Sequence, residues 1–209
     1  LVTGVQTCAL PIFMAGGGGC ERIYRQMGNY PIDILGNYGM QESTVENGVF
    51  KIISDAKEPV DTAFFLEKCN YLREKYGYTE YWGESVEFHE SGMATFGLLG
   101  TEAPKQAKLD FDQDKSKRRA MFPEVQEIFK DYSVFIGGTT SFDIAKKKYN
   151  KYDALMEYAG ECGISKEQIL FVGDDLSDGG NDSPARLRGL DYIQVDDYTA
   201  LPKLLEFLF

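Results

Sequence analysis

The stretch "FVGDDLSDGGND", Phe171–Asp182, follows the apolar residues Ile169 and Leu170 and holds four aspartates within twelve residues. Carboxylates repel one another at that density, so the stretch predicts a positively charged partner. An apolar run ending in "GDD" is typical of a buried strand whose carboxyl end carries the acidic residues. In a parallel α/β sheet, ligands bind beyond the carboxyl ends of the strands. The stretch therefore predicts a ligand site in an α/β fold.

The loop after this strand predicts a metal site. Gly179 and Gly180 allow the chain to curl back and bring Asp178 and Asp182 near Asp174. Oxygen ligands of this kind suit Mg²⁺, which prefers a few carboxylates, waters and a substrate phosphate. The three aspartates are therefore candidate metal ligands. A solvated acidic loop is the alternative interpretation.

Two other segments carry groups that suit an anion. Lys151 opens the predicted helix "KYDALMEYAG", from which it can reach a phosphate or carboxylate at a neighbouring strand end. The run "AGGGGCERI" places Gly17 and Gly18 between a strand-like segment and a helix. Their backbone N–H groups can cradle phosphate oxygens. A surface lysine and a plain flexible turn are the alternatives.

Composition limits the classes of function. The 209 residues are 43% hydrophobic with a formal charge of −11, enough for a sizeable core and unfavourable for binding nucleic acid or anionic membranes. No stretch reaches the ~18–20 apolar residues of a membrane span. The four scattered cysteines, without a CxxC pair, indicate reduced thiols and a cytoplasmic protein. The sequence does not indicate an oligomeric state.

The first residues differ in kind from the rest. Val2–Ile12, "VTGVQTCALPI", match at every position the translation of a DNA string that resembles a common sequencing-library adapter. The stretch has no basic n-region and is a poor signal peptide. We expect 1–12 to be an artefact fused to a gene fragment, which then begins near Phe13.

The pattern of elements predicts two domains. Strand-like and helical segments alternate in 13–54 and 139–209, which favours a parallel sheet with helices on both faces. Residues 55–138 read as an α+β insert with paired antiparallel strands. Asn47-Gly48, between two apolar stretches, is the clearest hairpin signal.

Taken together, the motifs resemble those of the haloacid dehalogenase-like superfamily of phosphohydrolases. "GGGGCERIYRQMG", "GGTTSFDI", "NKYDAL" and "GDDLSDGGND" are similar to motifs of its phosphomannomutase-type branch, within subfamily IIB. The resemblance covers Phe13 to Phe209. It implies a Rossmann-like core that lacks its first strand in this fragment, with an inserted α+β cap of the C2b type.

The resemblance also implies roles for single residues. Asp174 would bind Mg²⁺, assisted by Asp178 or Asp182, and Lys151 would hold the nucleophile and phosphate. The nucleophile of the family lies in a DxDG motif on an earlier strand, and no aspartate precedes Gly16. The fragment is therefore expected to be inactive. Where the family usually has Ser or Thr near Gly18, this chain has only glycine.

The resemblance further implies a set of residues that bind the phosphorylated substrate: Gly17, Gly18, Lys108, Arg119, Ser141, Asp143 and Asn181. Two arginine positions of the cap are replaced, by "HESGM" and by Gly100-Thr101. Lysine replaces bidentate arginine poorly. The sequence therefore favours a Mg²⁺-dependent phosphatase acting on a small metabolite such as a sugar phosphate. The alternatives are a phosphomannomutase-type mutase and a non-catalytic sugar-phosphate-binding protein.

Overall fold

The protein is described by a computed structural model over residues 12–206. Apart from Ile12, the predicted adapter artefact at 1–12 lies outside the described residues, as do Cys8 and the end of the chain at 207–209. The described chain has a mixed α/β fold, which confirms the predicted class.

The secondary structure follows the predicted alternation. The strands are β1 (Phe13–Ala15), β2 (Asp33–Gly36), β3 (Gln41–Glu46), β4 (Val49–Asp55), β5 (Val86–Phe88), β6 (Ala94–Gly97), β7 (Tyr132–Gly137), β8 (Ser141–Lys146), β9 (Leu170–Gly173) and β10 (Asp191–Gln194). The α-helices are α1 (Cys20–Gln26), α2 (Thr62–Tyr76), α3 (Lys105–Phe111), α4 (Ser116–Ile128), α5 (Lys151–Glu161), α6 (Ser183–Leu187) and α7 (Leu201–Leu204).

The first sheet has the order β1-β2-β3-β4. Strands β1 and β2 are parallel, whereas β3 runs antiparallel to both β2 and β4. Asn47 and Gly48 connect β3 to β4 with φ values of 51° and 77°. Two successive positive φ values are what a tight two-residue hairpin turn requires, so the hairpin prediction is confirmed.

The second sheet is the parallel pair β9 and β10. Phe171 on β9 packs with Leu155 of α5 and Leu190, and Phe13 of β1 packs against the same cluster. Within the described residues, β1 pairs only with β2 and β9 only with β10. Strands β1 and β9 therefore each have an unpaired edge within the described residues. We call residues 13–55 and 147–206 the parallel unit.

The third sheet is antiparallel, with the order β5-β6-β8-β7. Helices α2 and α4 cover it through an apolar core in which Phe65, Phe96, Phe129 and Phe142 are fully buried. Helix α4 continues through Pro123. We call residues 62–146 the antiparallel unit.

The domain division stays a prediction. Strand β8 lies beyond the predicted boundary at 138/139, yet it is the central partner of both β6 and β7. The antiparallel sheet therefore runs on to Lys146. It also touches the acidic loop directly, because the Ile136 N–H of β7 donates to the Gly179 carbonyl at 2.8 Å.

Candidate functional site

The acidic loop after β9 is organised around Asp182. Its carboxylate is 2% exposed, and Oδ2 accepts the backbone N–H groups of Asp174 and Asp175 at 3.1 Å each. The other oxygen, Oδ1, accepts the Lys151 ammonium at 2.6 Å. One buried carboxylate therefore fixes the strand end and the lysine together.

Two glycines make this loop possible. A Cβ on Gly173 would lie 2.5 Å from Asp182 Oδ2, and a Cβ on Gly180 would lie 2.2 Å from the Asp175 carbonyl oxygen. The second clash is with backbone, so no side-chain movement can relieve it. Of the two glycines that the sequence associated with loop curling, Gly180 is thus required by close approach, and Gly179 has a φ of 81°.

Lys151 is placed by the start of α5. The Asn150 side chain caps the helix by accepting the Asp153 N–H at 2.9 Å, which fixes Lys151 as the first helical residue. Its ammonium donates to Asp182 and, at 3.2 Å, to Asn181 Oδ1. The structure thus brings together three predicted site residues, Lys151, Asn181 and Asp182.

The other predicted metal ligands have different surroundings. Asp174 is exposed, and no side-chain hydrogen bond engages its carboxylate within the described residues. The Asp178 side chain is 90% exposed and pairs with Arg186 at 2.5 Å. Asp175 is buried and is held by Lys115, with Arg119 3.5 Å from Oδ1. Of these three aspartates, Asp174 is therefore the one whose carboxylate oxygens are available to a metal ion.

These residues suit a Mg²⁺ site that has few protein ligands. No three His, Cys, Asp or Glu side chains form a metal-holding cluster in residues 12–206. Mg²⁺ binds proteins through one or two carboxylates and keeps several waters, so the Asp174 carboxylate suits it. Asp182 has both oxygens occupied by protein donors, and its position between Lys151 and the loop is that of an organising residue.

The glycine turn before α1 carries N–H donors and lies beside a cation. The N–H groups of Gly17, Gly18 and Gly19 donate to no backbone carbonyl of the described residues, whereas the Gly16 N–H donates to Leu35 at 2.9 Å. A Cβ on Gly18 would lie 2.3 Å from Arg22 Nη2, so the guanidinium lies over the turn. Consecutive N–H donors beside a cation form an anion-binding concavity.

Tyr38 lies between the turn and the antiparallel unit. A Cβ on Gly17 would lie 2.7 Å from its hydroxyl oxygen, which donates to Asp143 Oδ2 at 2.7 Å. The other oxygen of Asp143 accepts the Thr95 hydroxyl at 3.1 Å. Burial raises the pKa of Asp143, while the hydrogen bonds from Tyr38 and Thr95 lower it. Asp143, predicted to bind the substrate, is thus occupied by two protein hydroxyls.

Three further predicted substrate-binding residues are dispersed. The Ser141 hydroxyl donates to the Gly137 carbonyl at 3.1 Å, and Lys108 Nζ donates to the Thr101 carbonyl at 3.0 Å. Arg119 donates to Ser177 Oγ of the acidic loop at 2.6 Å. The structure does not bring these side chains together.

A cavity of about 360 Å³ opens between the two units. Its lining is mostly polar and comprises Gly19, Glu21, Arg22, Asn37, Gln41, Ile52, Asp55, His89, Glu90 and Ser91. Sequence reasoning did not select Arg22, Asn37 or Gln41. The sequence does indicate Arg22, because it lies in the first turn of α1, directly after the glycine turn. It does not indicate Asn37 or Gln41, because their positions depend on how β2 and β3 fold against that turn.

Comparison with known protein families gives a match over most of the chain. The family description "haloacid dehalogenase-like hydrolase" matches residues 33–180. No functionally curated protein sequence matches the chain. None of the helices formed by residues 12–206 has the length and apolar character that a membrane crossing needs.

Solved structures show the same fold. The IMP-nucleotidase of Plasmodium falciparum, N-terminally truncated and IMP-bound, matches with a TM-score of 0.59 and 14% identity over 95% of this chain. This chain spans 58% of that structure. A subclass IIB sugar phosphatase matches with a TM-score of 0.55 and 13% identity, over 95% of this chain and 85% of its own.

A third similar structure is a haloacid dehalogenase-like hydrolase from B. subtilis, with a TM-score of 0.53 and 11% identity, over 87% of this chain and 76% of that one. At such identities the structures establish the fold alone, and the family match over most of the chain adds the sequence relationship. The chain belongs to the haloacid dehalogenase-like hydrolase family.

Proposed function

We propose that the chain forms the phosphate site of a Mg²⁺-dependent phosphatase that acts on a small phosphorylated metabolite. The observation that carries the proposal is the buried Lys151–Asp182 pair beside the exposed carboxylate of Asp174. The glycine turn, which contacts Tyr38, adds N–H groups that donate to no backbone carbonyl of residues 12–206. Cations and N–H donors around one acidic strand end suit a phosphoryl group.

Each residue has a distinct role in this proposal. The Lys151 ammonium, fixed by Asp182, compensates the negative charge of the phosphoryl oxygens and of the attacking carboxylate. The N–H groups of Gly17 and Gly18 orient the same oxygens. When bound at Asp174, Mg²⁺ supplies Lewis-acid polarisation of the phosphoryl group.

The attacking carboxylate is proposed to be an aspartate on a further parallel strand, forming an aspartyl-phosphate. Two features support its position. Strands β1 and β9 each have an unpaired edge within the described residues, and Phe13 and Phe171 pack into one cluster. A strand paired with both edges would end beside Lys151 and Asp174, since carboxyl ends of parallel strands share one edge of a sheet.

A sugar phosphate is the proposed substrate class, with the antiparallel unit acting as the cap. The cavity of about 360 Å³ has the volume for a ligand of this size, and Arg22, Gln41 and His89 supply polar contacts. The solved relatives named above include a sugar phosphatase and a nucleotidase. Cys20, Cys69 and Cys162 are free thiols, which supports the proposed cytoplasmic location.

A mutase ranks below a phosphatase on one observation. A mutase must hold a second phosphate, and the predicted cations for it are committed elsewhere. Lys108 donates to a carbonyl, and Arg119 contacts the acidic loop. A non-catalytic sugar-phosphate-binding protein is the remaining alternative, and phosphate turnover would exclude it.

Phosphate release tests the proposal. A panel of sugar phosphates and nucleoside monophosphates would be assayed with Mg²⁺ and with EDTA. Both this chain and the chain extended by coding sequence found upstream in its gene would be tested. We expect turnover from the extended chain with Mg²⁺, and none from the 209-residue chain.

Two variants sharpen this assay. Asp174→Asn should abolish turnover, whereas Asp191→Asn, at the exposed start of β10, should leave it unchanged. Equal rates with EDTA and Mg²⁺ would contradict the metal role. Conversion of a hexose 1-phosphate to its 6-phosphate with a bisphosphate activator would favour the mutase instead.

A further inference from the structure

His89 lies in the turn between β5 and β6, where the backbone is fixed. Its N–H donates to the Met93 carbonyl, and its carbonyl accepts the Gly92 N–H, both at 2.9 Å. Gly92 has a φ of 86°, and a Cβ there would lie 2.0 Å from the Glu58 carbonyl oxygen, so the turn requires glycine. The one histidine of the chain therefore has a defined place in the lining of the cavity.

A row of hydrogen bonds leads from His89 into the interior. The ring nitrogen Nε2 lies 3.0 Å from Thr95 Oγ1 of β6. The Thr95 hydroxyl donates to Asp143 Oδ1 of β8 at 3.1 Å, and the Tyr38 hydroxyl donates to Oδ2 at 2.7 Å. Each of these groups thus contacts the next through an observed hydrogen bond. We call the four residues the histidine chain: His89, Thr95, Asp143 and Tyr38.

The inner end of the histidine chain is held firmly. The Tyr38 ring stacks on Phe135 of β7 with centroids 4.5 Å apart, and the residue is 1% exposed. Its φ of 59° lies in the left-handed region that bulky residues rarely adopt. Residues in such strained conformations persist where the surrounding structure fixes them. The strained turn Asn37–Gly39 therefore keeps the Tyr38 hydroxyl beside Asp143.

The donors and acceptors of the chain determine which nitrogen of His89 carries the proton. A carboxylate only accepts, so both hydroxyls give their single proton to Asp143. Thr95 Oγ1 then has no proton left for His89 and accepts from Nε2–H. A neutral imidazole carries one N–H, so its other nitrogen, Nδ1, is an acceptor. Nδ1 hydrogen-bonds to none of residues 12–206 and lies 3.9 Å from Glu87 Oε1.

The charges around His89 favour a neutral ligand group. The ionisable residues in the rest of the cavity lining are three acids, Glu21, Asp55 and Glu90, and one arginine, Arg22. A second phosphate beside His89 would meet this excess of negative charge. A hydroxyl group carries no charge and donates a proton, which suits an imidazole acceptor.

We propose that His89 is a specificity-determining residue, which Thr95 and Asp143 hold as the Nε2–H tautomer so that Nδ1 accepts a hydrogen bond from a substrate hydroxyl. The side chain is 29% exposed, so the ring is held by the sheet and still reachable from the cavity. The role in specificity rests on the proposed phosphatase function. The tautomer does not, because it follows from the histidine chain alone.

Nuclear magnetic resonance tests the tautomer without enzymatic activity. Long-range ¹H–¹⁵N correlation spectra of this chain, labelled with ¹⁵N-histidine, report a single ring, since His89 is the only histidine. At about pH 8, where an ordinary imidazole is neutral, we expect a protonated Nε2 and a bare Nδ1. A proton on Nδ1 in the wild type, alone or together with one on Nε2, would overturn the proposal.

Asp143→Asn reverses the direction of the chain. The Tyr38 hydroxyl keeps its acceptor if the new amide turns its oxygen towards it, which directs the amide N–H towards Thr95. The Thr95 hydroxyl then accepts from the amide and donates to His89, so the proton of the ring should move to Nδ1. A solvent-exposed ring can also adopt the wild-type tautomer, so this reversal is the decisive result. An unchanged tautomer in Asp143→Asn would contradict the proposal.

Thr95→Val gives a second test if Asp143→Asn does not fold. It removes the acceptor of Nε2–H, so this proton should exchange rapidly with water and its signal should broaden. Thr101→Val is the matched control, because the Thr101 hydroxyl accepts the Glu84 N–H at 3.0 Å and lies outside the histidine chain. A signal that is equally sharp in Thr95→Val and Thr101→Val would overturn the role of Thr95.

Steady-state kinetics on the extended chain test the specificity. For a hexose phosphate, His89→Ala should raise KM about fivefold with kcat within about twofold, as one neutral hydrogen bond predicts. One monodeoxy analogue should show the same penalty with the wild type and no further penalty with His89→Ala, and Thr101→Val should behave as the wild type. Equal penalties for every analogue in both enzymes would overturn the specificity role. Absence of turnover in the wild type would refute the phosphatase proposal and with it this role, while the spectra would still decide the tautomer.

Discussion

Replacing Lys151 by Met leaves the Asp182 carboxylate buried without its cation. The two charged groups are 2.6 Å apart, and their side chains are 10% and 2% exposed. At an effective dielectric constant of ~20, unit charges at that distance attract by about 6 kcal/mol. The two backbone N–H bonds to Oδ2 remain, and relaxation recovers part of the loss. We therefore expect unfolding free energy to fall by about 3 kcal/mol.

Urea unfolding at neutral pH, followed by far-ultraviolet circular dichroism, measures this loss. Arg25→Met is the control, since it removes an exposed i,i+4 pair with Glu21 and should cost no more than about 0.5 kcal/mol. The double variant Lys151→Met/Asp182→Asn removes the orphaned charge and should recover at least about 1 kcal/mol. A loss below about 1 kcal/mol for Lys151→Met, or a double variant weaker than the single, would refute the buried-pair argument.

Three further predictions concern glycine, pH and thiol chemistry. Gly180→Ala should lower the free energy of unfolding by about 2 kcal/mol, because the new Cβ meets a backbone carbonyl. Gly160→Ala, in α5 with open space around the new Cβ, should raise it by about 0.5–1 kcal/mol. Thermal melts of the two variants measure both changes. Burial raises the folded-state pKa of Asp143, so its ionisation costs stability above that pKa, and the cost disappears as pH falls below 3.8. Asp143→Asn should therefore become more stable relative to the wild type as pH rises, and equal pH profiles in urea titrations would contradict this. Burial raises the pKa of Cys69 to about 12, so a thiol reagent should label exposed Cys162 at once and Cys69 only on unfolding, as mapped by mass spectrometry.

Local signals in the sequence were enough for the elements that frame the site. The Asn47-Gly48 hairpin, the strand ending at Gly173 and the helix beginning at Lys151 all depend on neighbouring residues. Turn chemistry and capping act over a few positions, so they are readable without tertiary contacts. The family match over 33–180 agrees with the resemblance drawn from the motifs.

The features that the sequence did not indicate depend on contacts between distant segments. The spacing of Asp174, Asp178 and Asp182 does not reveal that only one of them is buried against a lysine. The engagement of Asp143 depends on Tyr38, 105 positions earlier, and on the fold of a strained turn. The place of β8 in the antiparallel sheet likewise depends on its pairing with β6 and β7.

The contact of α4 with the acidic loop has a consequence for sequence variation. Lys115 and Arg119 of the antiparallel unit hold Asp175, the residue beside Asp174. A change at position 175 that removes the negative charge would leave two neighbouring cations to repel each other, so variants of this chain should lose that acid and the cation at 115 together. Substitutions on the two sides of this contact are thus expected to occur together. Exchange of the antiparallel unit between relatives should succeed only when the acidic loop is transferred with it.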